Sequence, residues 1–144
     1  MSRTLTFEGA FPYKNLPGIP GPVPSAEVIL HMGDSHTGTF FAILDTGASV
    51  TIFQPELALD LGIDDVTAAP IYEIVSTGAG PIRAYHFSVE MELALNGHRN
   101  RFGCKVGFAE HHIPRNILGR NLVFQLYTFA FRERQSEVLF TQHL

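Results

Sequence analysis

The longest regular pattern in the chain occupies residues 82–95, where Tyr85, Phe87, Val89, Met91, Leu93 and Leu95 alternate with His86, Ser88, Glu90 and Glu92. A period of two sends successive side chains to opposite faces, so the segment reads as a strand with one buried and one wet face. Asn96-Gly97 follows, a pair suited to a two-residue type I′ hairpin turn, and Phe102, Cys104, Val106 and Phe108 resume the alternation on a returning strand. Upstream, 26–32 reads as a strand, Gly33-Asp34 as a turn and 39–44 as a second strand. After Val50-Thr51-Ile52-Phe53, a short helix is expected to open with Pro55 at its first position and to stop at Gly62, the usual asymmetry of helix ends. A last hairpin is expected over 127–141, turning near 133–136. The pattern is that of an all-β chain with one or two short helices, and it contains no internal repeat or low-complexity tract.

Composition changes the picture at the N-terminus. Residues 1–25 hold five of the nine prolines, centred on Pro17-Gly18-Ile19-Pro20-Gly21-Pro22, and such a segment has few ladder donors. It is expected to form a Pro/Gly-rich extended arm (1–25) ahead of a single domain (26–144). A chain of 144 residues with 45% apolar content can bury one core. A net charge of -4 supplies no basic stripe, so nucleic acid is not an expected partner. No run approaches the roughly 18 apolar residues of a membrane span, and the N-terminus lacks the charged start and apolar core of a signal peptide. With one cysteine and no internal disulfide to form, the expectation is a soluble, cytoplasmic protein.

The candidate chemistry lies at the end of the second strand. Phe40-Phe41-Ala42-Ile43-Leu44 runs into Asp45-Thr46-Gly47-Ala48, which places one carboxylate on a tight turn after a buried strand. Gly47 lets the backbone fold close to that carboxylate and donate its amide to it. The segment resembles the catalytic loop of aspartic proteases, where Asp-Thr-Gly follows apolar residues and precedes Ala or Ser. Downstream, Arg115-Asn116-Ile117-Leu118-Gly119-Arg120-Asn121-Leu122 resembles the segment whose apolar pair and Gly-Arg-Asn open the short C-terminal helix of the retropepsins, the single-domain aspartic proteases of retroviral type. Between them, Ser76-Thr77-Gly78-Ala79-Gly80-Pro81 stands where that family carries its flap. The three segments keep the family's order and span roughly 26–131.

The resemblance implies a closed, barrel-like acid-protease fold with one lobe per chain. It implies an aspartic endopeptidase with no cofactor and no metal, acting on a polypeptide held in extended form. Only one Asp-Thr-Gly is present, and Asp34-Ser35-His36 is not a second copy, so the second carboxylate has to come from another chain in a homodimer. By resemblance Asp45 is catalytic, Thr46, Gly47 and Ala48 support its loop, Gly78, Ala79 and Gly80 form the flap, and Gly119 and Arg120 brace the loop. The chain departs from the family at Ser49, where an acidic partner for the arginine is common, and at Pro81, which has no amide to donate. The alternative is a catalytically weak peptide-binding or dimerisation module on the same fold. Residues 127–131 and part of the arm are candidates for further interface contacts. His111-His112 reads as loop, because adjacent side chains of an extended stretch diverge and no further ligand stands at metal-site spacing. Cys104 lies on the apolar phase of its strand and reads as a core thiol.

Overall fold

The computed structural model describes residues 2–143. In chain order the elements are β1 (Gly9–Pro12), β2 (Ser25–Met32), β3 (Ser35–His36), β4 (Phe40–Leu44), β5 (Ile52–Phe53), α1 (Glu56–Asp60), β6 (Tyr72–Thr77), β7 (Gly80–Leu95), β8 (His98–Ala109), β9 (Ile117–Leu118), α2 (Val123–Leu126), β10 (Tyr127–Arg132) and β11 (Glu137–Gln142), with single 3-10 turns at Val66–Ala68 and Glu133–Gln135. The chain is mainly β, as its periodicity predicts.

Eight strands pair in the order β3-β2-β4-β9-β5-β8-β7-β6, and a further pairing of β2 with β7 closes β2-β4-β9-β5-β8-β7 into a barrel. Closure pairs most of the edge that a flat sheet of this length would expose and leaves β3 and β6 outside the ring. The β7–β8 hairpin is the backbone of the barrel, paired from Ala84↔Ala109 to Leu95↔His98 around Asn96 and Gly97, both at positive φ as a type I′ turn demands. Val28, Leu30, Met91, Leu93, Phe53, Phe108 and Leu118 are fully buried inside it.

The alternation along β7 changes phase. From Val89 to Leu93 the odd-numbered residues are buried in the barrel, whereas nearer the β6–β7 turn Ile82 and Ala84 are buried on the opposite face. There they pack with Ile52, Ala109 and Ile113, and with Val75 and Ile117 at the margin. One strand therefore serves two cores, because its first third leaves the barrel wall and lies over the short strands β5 and β9.

Residues of the expected arm enter the fold at two places. β1 hydrogen-bonds β11 in a three-stranded sheet β1-β11-β10, and Lys14 bridges Val23. Phe11 and Tyr13 are buried in the same cluster as the barrel residues. The expectation that residues 127–131 are held back for a partner needs correction: Tyr127 is 1% exposed within one chain and Phe129 packs against the core, so of these aromatics only Phe131, at 37%, faces solvent. Tyr127 stacks on Phe129 and meets Phe140 edge-on, which makes it a core residue of the protomer.

Candidate active site

β4 and β9 run parallel, with Ile43 opposite Ile117 and Leu44 opposite Leu118. β9 also pairs antiparallel with β5, so the downstream segment is threaded between the strand that enters the Asp45 loop and the strand that leaves it. The Asp45 N–H donates to Leu118 O at 3.0 Å, and the Ala48 N–H closes the turn onto Asp45 O at 3.2 Å. The Gly47 N–H donates to Asp45 Oδ1 at 2.9 Å. A Cβ at position 47 would lie 3.2 Å from that same oxygen, so glycine is what lets the amide reach the carboxylate. Asp45 is half-buried; among the described residues its other carboxylate oxygen has no hydrogen-bond partner. Thr46 and Ser49 are exposed beside it.

Gly119 sits directly against the loop's backbone. A Cβ there would stand 2.1 Å from Val50 O and 2.4 Å from Val50 C, far inside any permitted contact. The Arg120 N–H donates to Ala48 O at 2.9 Å. The Gly119-Arg120 segment therefore touches the loop through backbone. The Arg120 side chain is exposed and joins no ion pair among the described residues, in keeping with Ser49 standing where a carboxylate could have met it.

Two buried polar residues that sequence reasoning left without a role hold the floor together. Thr51 Oγ1 accepts the Gly119 N–H at 3.1 Å and donates to Asn121 Oδ1 at 3.0 Å. Asn116 Oδ1 accepts the Gln54 N–H at 2.8 Å, and the Gln54 side-chain amide donates to Ile113 O at 2.8 Å. Thr51 and Asn116 are both buried, and a buried polar group without such partners is costly. A threonine between Val50 and Ile52 looks like any β-branched strand residue, so periodicity gives it no distinction. Asn116 and Asn121 lie inside the downstream motif, and their amides were the available signal.

The flap candidate is a tight hairpin. Thr77 faces Gly80 across a turn of Gly78 and Ala79, and Gly80 begins β7 at φ +108, a region open to glycine. The Thr77 hydroxyl donates to Gly80 O at 2.6 Å and accepts the Ala79 N–H at 3.2 Å. The Ala79 amide is thus engaged within the turn. Farther down, Arg83 lies over the Tyr72 ring, 4.9 Å from its centroid, and His86 pairs with Glu73 at 3.0 Å.

The remaining singled-out residues have structural partners. Burial pushes the Cys104 thiol up to about 11, which leaves it inert at neutral pH. His112 Nδ1 lies 2.7 Å from Glu56 Oε1 on α1, and His111 Nδ1 lies 3.2 Å from His112 O.

Comparisons with known proteins follow the same segments. A family model described as aspartyl protease matches residues 33–122, which include the Asp45 loop, the hairpin at 77–80 and the Gly119-Arg120 segment. A retropepsin-like aspartic protease from Rickettsia conorii superposes with a TM-score of 0.55 at 17% identity, covering 99% of this chain and 100% of that one. EIAV protease complexed with the inhibitor HBY-793 gives a TM-score of 0.47 at 20% identity, over 72% of this chain and 88% of that one. No curated protein matches the chain. The Rickettsia likeness is one of fold: a single retropepsin lobe.

Proposed function

Because the chain belongs to the aspartyl protease family, we propose that it is an endopeptidase whose active site forms when two copies bring their Asp45 loops together on a two-fold axis. The observation that carries this reading is the state of Asp45: one oxygen is pinned by the Gly47 amide and the other is left open, on a loop locked from below by Gly119 and Thr51. A single carboxylate placed this way can deprotonate water but cannot also protonate the scissile carbonyl. Two carboxylates about 3 Å apart share one proton, since ionising both is costly, and then one acts as base and the other as acid. The Gly47 amides hold each carboxylate in place, and the exposed Thr46 hydroxyl is free to bond across the axis. An extended polypeptide would lie between this floor and the β6–β7 hairpin, held by main-chain bonds with alternate side chains in pockets. The engaged Ala79 amide means that a substrate has to displace the Thr77 hydroxyl to use it.

The test is cleavage of a diverse peptide library, with scissile bonds mapped by mass spectrometry. Defined cleavage sites with the wild type and none with Asp45→Asn support the endopeptidase. Absence of cleavage by a folded, dimeric wild type would leave the peptide-binding module in its place.

A further inference from the structure

β7 shares its outer edge between two strands in succession: β6 pairs with Gly80 to Tyr85, and β2 pairs with Glu90 to Ala94. The His86 N–H donates to Ile71 O, and in an antiparallel ladder alternate residues face the same neighbour, so the N–H and C=O of Ser88 point to that outer edge. The other side of the hairpin gives the same phase. Gly107 donates away from β7 to Thr51 O, which turns Val106 and Cys104 toward Phe87 and Val89 and leaves Ser88 facing outward. Among the described residues nothing bonds these two Ser88 groups, and Ser88 is exposed. β6 does not reach it because Ala69, which the continued register would set opposite Ser88, gives its N–H to Val66 O, and β2 does not because Gly33, at φ +59, turns the chain into β3.

Two cavities of about 380 and 470 Å³ open on this gap and share Ser88 and Lys105 as walls. Pro70, Ile71 and Phe87 make one wall apolar. Lys105 stands opposite Ser88 in the ladder, is exposed, and joins no ion pair among the described residues. Among the lining residues Glu90 is the carboxylate, and it pairs with Arg101, which leaves Lys105 as the fixed positive charge there without a partner. Gly103 keeps the floor low: a Cβ there would meet nothing within 4 Å and its φ lies outside the left-handed region, so neither packing nor a turn accounts for glycine in mid-strand. Such a glycine weakens a strand and suits close approach by another backbone.

We propose that this groove is a second peptide site, which takes the free C-terminus of a polypeptide ending in an apolar residue. The gap is one ladder position long and is closed by Ile71 at one end and Met32 at the other, so a through-going strand does not fit and a chain end does. Lys105 selects the carboxylate end over the ammonium end. The terminal carboxylate meets Lys105 and the Ser88 N–H, the terminal N–H meets Ser88 O, and the last side chain lies on Ile71 and Phe87. None of the lining residues belongs to the Asp45 loop, so the proposal stands or falls apart from the protease reading.

The probe is a fluorescein-labelled hexapeptide ending in Leu, compared with its C-terminal amide by fluorescence anisotropy against the Asp45→Asn protein, which cannot consume it. The free acid is expected to bind saturably, with amidation or Lys105→Gln weakening it about tenfold or more and Lys105→Arg restoring it. Gly103→Val, which raises the floor, is expected to weaken binding without lowering the melting temperature. Equal affinity for acid and amide, no saturable binding of the acid, or binding indifferent to Lys105→Gln but lost in Gly80→Ala, which would put the peptide under the flap, each overturns the proposal. The acid-against-amide comparison needs no groove variant, so it decides even where a substitution perturbs folding.

Discussion

Gly119 carries no functional group, yet it sets how closely the floor of the site can approach the Asp45 loop. With Val50 O only 2.1 Å from where its Cβ would be, Gly119→Ala has to push apart two backbone segments. We expect a loss of about 3 kcal/mol or more in urea unfolding, above the usual cost of an added methyl because backbone cannot rotate away. Thr51→Val tests the same junction by chemistry instead of volume. It keeps the shape but strips the buried Gly119 N–H of its acceptor, which costs about 1–3 kcal/mol of stability. Its activity should fall further than that of a surface control at equal folded fraction, because the loop that holds Asp45 rests on this bond. Asp45 and Gly47 are legible in the sequence because their chemistry depends on local neighbours. Thr51 is not, because its partners Gly119 and Asn121 lie about 70 positions away and appear only once β9 is threaded beneath the loop.

At the scale of elements, the β7–β8 hairpin could be read directly: alternation gave both strands and Asn96-Gly97 gave the turn. The phase change near Ala84 could not, since it reflects the second cluster that β5 and β9 create by tertiary contact. Those strands are two residues each, too short for any period, and their pairing is non-local. The β6–β7 turn depends on Gly80 at φ +108, where an alanine is strained. If this turn closes over substrate, Gly80→Ala should reduce turnover by more than its loss of stability accounts for, since an added Cβ meets nothing within 4 Å and the strain stays local; steady-state kinetics beside a thermal melt checks this. The barrel seam carries a pH dependence. The His31 hydrogen bond, and after it Arg99, holds the Glu92 carboxyl below the ordinary glutamate value. A carboxyl lowered in the folded state contributes stability above its unfolded value, about 4.3, and loses it as the pH falls through the folded one. Glu92→Gln should remove this part of the acid limb, so that wild type and variant converge at low pH and separate toward neutrality in denaturant melts. A constant difference at all pH values would mean that the pairing of β2 with β7 does not feel this charge.

For the whole molecule, the proposed chemistry needs two carboxylates, and one lobe with one Asp45 and a closed barrel supplies one of them, which is the argument for a second copy. The terminal sheet β1-β11-β10 is completed within the chain, with Tyr127 buried in it, so the partner surface is not a set of aromatics waiting to be covered. The sequence could not distinguish these cases, because an aromatic strand has the same pattern whether its own chain or another buries it. Among the surfaces open to a partner are the Asp45 loop with its exposed Thr46 and Phe131 on β10. Mixing Asp45→Asn protein with a fixed amount of wild type, under conditions in which subunits exchange, tests the shared site most directly. If each active unit needs two copies of Asp45, an equal amount of the variant should draw wild-type protomers into inactive pairs and lower peptide hydrolysis to about half by random assortment, and a larger excess should drive it toward zero. Hydrolysis that stays constant as Asp45→Asn protein is added would show that one chain suffices and would contradict the account.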